Sequence, residues 1–123
     1  VLSDQSPGDA LKSYWMDFLN QPTPVLFGAE MMAHDLDYSV VFFATRKIKR
    51  GYYKMELSLV TEKPEEMAWG EITESHTSKL EKEIIKQPAY WLWSHKRWKR
   101  EIPEDLPKLK QKQNENFNKR FNL

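Results

Sequence analysis

Two strand-like runs separated by a basic turn constrain this chain more than any other feature. Tyr38 to Thr45 is dense in β-branched and aromatic residues, and Tyr52 to Val60 alternates Tyr, Met and Leu with Lys, Glu and Ser. The first pattern reads as a buried strand and the second as its neighbour. The turn at Lys47 to Gly51 closes them into an antiparallel hairpin. Everything else must pack around that ribbon.

A length of 123 residues allows one compact domain with one core. Aromatic residues make up 13% of the chain and include five Trp, so an apolar or interfacial surface has rings to spare. Nineteen basic side chains against eighteen acidic ones leave a net charge of +1, which excludes a chain-wide field for nucleic acid or anionic lipid. Basic recognition has to be local. The absence of Cys removes disulfides, thiolate zinc sites and a Cys nucleophile together. No run of about 18 apolar residues is present to span a bilayer, so the chain as given is expected to be soluble. It opens on Val1-Leu2-Ser3 rather than Met, which reads as a cut through a larger protein.

Along the chain, Val1 to Ser3 reads as the end of a strand, followed by the turn-forming Asp4-Gln5-Ser6-Pro7-Gly8. From Asp9 to Leu19, apolar residues recur at three- and four-residue spacing and predict a short helix. Asn20 to Pro24 breaks it, and Pro24 opens a second predicted helix running to about Ala33. After the hairpin, Lys63 to Gly70 reads as a polar loop and Thr73 to Lys86 as a charged helix. Pro88 separates this from Ala89 to Arg100, where three Trp and one Tyr lie among His95, Lys96, Arg97, Lys99 and Arg100. Residues 101–123 are rich in Lys, Gln and Asn and read as a polar, partly disordered tail. The fold class is α/β with at least one antiparallel pair, and residues 1–100 form its folded part.

Three segments, in order, resemble the bacterial lipid A biosynthesis acyltransferase family, a branch of the lysophospholipid acyltransferase superfamily. Leu2-Ser3-Asp4-Gln5 is similar to the family's strand-ending Asp-Gln. Asp17-Phe18, Thr23-Pro24, Gly28-Ala29, Val40 to Phe43 and Gly51-Tyr52-Tyr53 are similar to its central block. Gln87 to Lys99 is similar to its closing run of Pro, aromatic, Trp, His, basic, Trp and Lys, the most specific of the three. The resemblance covers about residues 2–100. It implies a partial acyltransferase domain ending in amphipathic helices, and transfer of a fatty acyl chain, usually from acyl carrier protein, to a lipid A precursor at the cytoplasmic face of the inner membrane. No cofactor is implied. The family's catalytic His-x4-Asp/Glu pair lies before the Asp-Gln segment, so this chain alone is expected to be inactive.

One His-x4-acid string does occur, His76 to Glu81, but it follows Asp4-Gln5 and falls in a predicted helix. Residues five apart on a helix point about 140° away from each other, so the two side chains cannot pair. His76 reads instead as a half-buried helix-face residue beside Leu80. Asp4 is the supporting catalytic candidate, since an acid at a strand end can orient a basic group; the bland alternative is a turn Asp tied to its own backbone. Gln5, Thr23 and Arg46 are candidates to line the same cleft. His95, Lys96, Arg97, Trp98 and Lys99 would meet substrate or membrane if Tyr90 to Arg100 is helical, with Trp on one face and cations on the other. The bland reading is a docked terminal helix. A binding module for nucleic acid or protein on that segment is the competing function, although the near-neutral whole and the short basic cluster argue against nucleic acid. His34-Asp35-x-Asp37 is the only dense His and acid group, at a predicted helix end where such residues cap, so no metal site is expected. The glycines are scattered and cradle no phosphate, and no Ser nucleophile elbow is present. A sheet cut on one side exposes an edge, through which copies of the chain are expected to associate.

Overall fold

The computed structural model describes residues 1–123. Its elements are β1 (Tyr14–Phe18), β2 (Gln21–Val25), α1 (Gly28–Leu36), β3 (Val40–Lys49), β4 (Tyr52–Thr61), α2 (Glu71–Lys86) and α3 (Leu106–Phe121). Two separate antiparallel hairpins, β1–β2 and β3–β4, make this a mixed α/β fold.

The β3–β4 hairpin forms where the sequence places it, with β3 reaching four residues further, to a tight turn at Arg50-Gly51. Val41 faces Leu59, Phe43 faces Leu57 and Lys47 faces Tyr53, with a register shift at Ile48. A φ of +78° at Gly51 meets the turn's need for a left-handed residue. Only 20 of 123 residues are buried, and Thr61 is the one that this ribbon contributes. Its apolar side chains therefore remain largely exposed.

The predicted Asp9 to Leu19 helix is instead loop and strand. Leu19 and Asn20 both have positive φ, 50° and 62°, giving a two-residue turn that folds β1 onto β2. Pro22 and Pro24, read as breakers, lie in β2 opposite Asp17 and Trp15. Two positions apart, their nitrogens point to the same side of the strand. Facing the outer edge, they remove no donor from the ladder and leave the edge a poor template for further pairing. The three- and four-residue spacing arose by coincidence: Tyr14, Trp15 and Phe18 are all buried from a strand. The following helix begins at Gly28 rather than Pro24 because Pro24 and Val25 belong to β2.

α2 runs close to its predicted span and is the platform of the fold. Glu30 of α1 is fully buried, and its carboxylate accepts from the Gly70 and Thr73 backbone N–H groups at 2.6 and 2.8 Å, supplying the N-terminal cap that α2 lacks locally. Gly70, at φ +87°, cannot be replaced: a Cβ there would collide with the Tyr14 ring.

Two further expectations change. Tyr90 to Arg100 is not a helix but a 3-10 turn at Pro88–Tyr90 followed by irregular turns. Its side chains bond to the amino-terminal residues rather than lining a helix face. The polar tail, expected to be partly disordered, carries the 16-residue α3. Asp105 caps it by accepting from Lys108 N–H, Asn122 ends it in the left-handed conformation, and Phe117 is buried against Phe27 and His34. Arg120 makes a two-oxygen contact with Asp35 of α1, both at 2.8 Å. Composition alone hides such caps and anchors.

Glu30→Gln keeps the volume but replaces one acceptor oxygen with an amide, leaving a buried N–H unpaired at the start of α2. The substitution is expected to destabilise the fold by about 1–3 kcal/mol. Urea unfolding followed by Trp fluorescence measures it, and an unchanged midpoint would refute the capping role.

Candidate active-site cleft

The amino-terminal segment, the β1–β2 hairpin and the closing aromatic and basic segment meet on one side of the molecule. They are held there by contacts between residues far apart in sequence. Ser6 N–H donates to His95 Nε2 at 3.1 Å, and Arg100 Nε donates to the Pro7 carbonyl at 3.0 Å. Trp98 Nε1 donates to Thr23 Oγ1 at 2.7 Å. Each bond fixes the closing segment in an extended or turned path, which is the physical reason it does not coil into a helix.

Arg97 lies at the centre. It is 2% exposed, with its guanidinium 5.7 Å from the Phe18 ring centroid, and Trp91 and Trp98 pack on the same ring. Burial pushes its pKa below the ordinary arginine value, and the Asp4 carboxylate acts in the opposite direction. Guanidinium remains a cation at neutral pH even so. Its Nε and Nη1 make no hydrogen bond, which leaves Asp4 as the charge that answers it. The acid at the end of the first segment thus acts through its field on a desolvated arginine from the other end of the matched block, without a direct ion pair.

Asp4 also lines an open cavity of about 490 Å³ bounded by Val1 and Leu2, α1, α2, the residues of β3 from Val40 to Thr45, and Trp91. Most of its lining is apolar. Met32 and Ala33 come from α1, and His76, Leu80 and Ile84 form a stripe along α2. His76 is buried, its Nε2 has no partner, and burial pushes its pKa down. Glu81 points elsewhere, accepting from Leu19 N–H at 2.5 Å. The two residues of the His-x4-acid string therefore do not form a pair.

The other candidates divide. Thr23 is fully buried and its hydroxyl, donating to the Gln21 carbonyl at 2.8 Å while accepting from Trp98, braces the site from beneath. Arg46 forms ion pairs with Glu56 at 2.7 Å and Glu83 at 2.8 Å, tying β3, β4 and α2 together, with Glu83 on the cavity wall. Gln5, Lys96 and Lys99 are exposed. The stacking of Phe18 on Arg97 and the packing of Trp91 on Phe18 left no trace in the sequence pattern. Only the folded path of the chain reveals them.

A family model described as bacterial lipid A biosynthesis acyltransferase matches residues 1–100. This chain belongs to that family. Comparisons with curated proteins and with solved structures returned no match. The family match ends before α3, which is additional to it. Within the match, the aromatic and basic closing block is the segment that locks onto Ser6-Pro7, so the two ends of the family pattern are one structural unit. No helix of this acyltransferase-family chain is long and apolar enough to cross a membrane.

His76 and His34 both have pKa values pushed below the usual histidine range, in each case first by burial; Asp35 and Glu65 oppose the shift at His34. A depressed folded pKa contributes stability that is present above the unfolded value near 6.5 and is lost as pH falls through it. The urea midpoint is expected to fall between pH 7 and pH 5, and His76→Phe should flatten part of that slope. NMR titration in which either ring protonates above pH 6.5 would refute this.

Proposed function

We propose that this chain is the carboxy-terminal part of an acyltransferase that moves a fatty acyl group from acyl carrier protein to a hydroxyacyl chain of a lipid A precursor. The site of action is the cytoplasmic face of the bacterial inner membrane. The observation that carries the reading is the placement of Asp4 on the rim of a largely apolar cavity, beside a buried arginine, in a chain whose first 100 residues match the family. Cavities of 300–1,000 Å³ are the usual size for small-ligand sites, and apolar walls suit an aliphatic chain.

In the proposed reaction a histidine preceding residue 1, assisted by its acid five positions on, removes the acceptor hydroxyl proton. The oxygen then attacks the acyl carbonyl, and the carrier thiol departs with a proton. In this reading Asp4, whose field reaches Arg97, positions the cleft wall against which this occurs. In this reading Lys96 and Lys99 meet the phosphates of the acceptor, which their exposure supports. Gln5, next to Asp4 in the chain, is exposed.

The 123-residue chain alone, given acylated carrier protein and a lipid A precursor, is expected to show no transfer, because His76 and Glu81 cannot act as the pair. Joined to a preceding segment that carries His-x4-Asp or His-x4-Glu, it should transfer, and Asp4→Asn should lower that rate by tenfold or more. Turnover by the chain alone, or full activity of the Asp4→Asn form, would sink the reading. The β3 and β4 strands pair only with each other, so both outer edges are free, and copies of the chain are expected to associate through them. Sedimentation that shows only monomer at high concentration would exclude this association.

A further inference from the structure

α3 lies beyond the residues that match the family, and it is tied to the body of the fold at two places. Gln113 Nε2 donates to the Leu11 and Ser13 carbonyls at 2.9 and 3.2 Å. Further along, Phe117 packs edge-on against Phe27 and His34, at ring-centroid distances of 5.9 and 4.8 Å, and Arg120 bonds to Asp35. The helix does not close on its neighbours between these ties. Residues from both of them line a cavity of about 480 Å³, a volume in the range of small-ligand sites. No residue lines both this cavity and the one that Asp4 borders.

The wall that the body of the fold supplies is aromatic. Tyr14 stacks on Phe27 at 5.6 Å with the ring planes 13° apart, and Trp69 packs edge-on to Tyr14 at 4.8 Å. Phe27, Met31 and Trp69 are only half-buried. A helix that served only to cover these rings would set apolar side chains against them at interior density. α3 instead contributes Gln113, Asn116 and Arg120 to the lining, with Phe117 as its one apolar residue. The charge of the lining is also one-sided, since it holds Lys12 and Arg120 and no acid. Arg120 is already answered by Asp35, whereas Lys12 reaches Asp9 only at 3.9 Å with its side chain in water. Lys110, 5.3 Å from the Tyr14 ring centroid, adds a cation whose contact is to a ring and not to a carboxylate.

We propose that the cavity beneath α3 binds a small planar aromatic anion, whose ring enters among Phe27, Met31, Trp69 and Phe117 while its anionic group meets Lys12 and Lys110. A planar ring gains offset-stacked or edge-to-face contacts with walls of this kind. A flexible alkyl chain would forgo that geometry and lose more freedom on binding. A cationic ligand would face Lys12 and Arg120 as like charges. The inference stands on this cavity's own residues and does not depend on acyl transfer.

The test titrates 2-naphthoate into the full chain labelled with ¹⁵N, with the Trp69 indole N–H identified from the spectrum of Trp69→Phe. The Trp69 indole and the Gln113 side-chain amide are expected to shift together and to saturate, while the indole of Trp91, on the other cavity, stays in place. Neutral 2-naphthalenemethanol and aliphatic decanoate should each bind at least about tenfold more weakly, the first for want of charge and the second for want of a ring. Lys12→Glu with Lys110→Glu should weaken naphthoate on the order of tenfold and remove its salt dependence. Asn116 is exposed, so Asn116→Trp fills the cavity from the helix without emptying the core and should abolish saturable binding. No shift at Trp69 with millimolar naphthoate would overturn the proposal. So would decanoate or the neutral alcohol binding as tightly as naphthoate, which marks simple apolar partition. Naphthoate shifts centred on Trp91, or binding unchanged in both variants, would overturn it as well. None of these readouts requires catalysis, so failure here leaves the acyl-transfer reading separately testable.

Discussion

The carboxylate of Glu30 is the interaction on which the remaining structure depends, because it fixes the start of α2 and α2 fixes nearly everything else. Removing a carboxylate from water is costly, and the upward push on its pKa records that burial outweighs the donors around it. Two backbone N–H groups at the positive end of a helix offset the cost in part. Once α2 is anchored, three of its own glutamates each hold a different element. Glu74 accepts from the Tyr14 hydroxyl of β1, Glu81 from Leu19 N–H in the β1–β2 turn, and Glu83 from Arg46 of β3. The helix is charged because its carboxylates are used as attachments, not because its face is merely solvated.

This arrangement also explains how a fold with so few buried residues is ordered. Ile72, Ile84, Trp15, Phe18 and Val25 form a small apolar centre, and partnered polar groups such as Thr23 and Glu30 are buried with them. A core of this kind depends on partnered polar atoms as well as apolar area. The cavity lined by His76, Leu80 and Ile84 lies where that core opens toward β3 and Asp4. The same helix therefore anchors the scaffold and forms one wall of the cleft.

Legibility in the sequence followed the range of the forces involved. The β3–β4 hairpin and α2 were readable because their patterns are local: β-branched density, alternation, and apolar residues four apart. The β1–β2 hairpin was hidden because its turn uses Leu19 and Asn20 instead of glycine, and because Pro22 and Pro24 suggest an end to regular structure unless their edge position is known. For α3, the average polarity of the tail concealed Asp105, Phe117 and Arg120, three residues that fix a helix. Of the cleft, Asp4 was a candidate from the sequence, whereas the fastening of the closing block to the amino-terminal segment was not legible. That fastening depends on bonds such as Ser6 to His95 and Pro7 to Arg100, whose members are 89 and 93 positions apart.

The two basic, aromatic-rich segments look alike in composition and are used in opposite ways. In the closing block the most family-specific residues turn inward: His95, Trp98 and Arg100 accept or donate bonds to the amino-terminal half, and Arg97 is buried over the Phe18 ring. Their specificity is that of a lock, which a substitution such as Lys for Arg would break, since a point charge cannot reproduce a planar group stacked on a ring. In the β3–β4 hairpin, Lys47, Lys49 and Arg50 are exposed and lie beside exposed apolar side chains. A cation held by its own chain contributes to shape, and one left in water does not. Counting charges cannot separate the two; the path of the backbone and the positions of nearby carboxylates can.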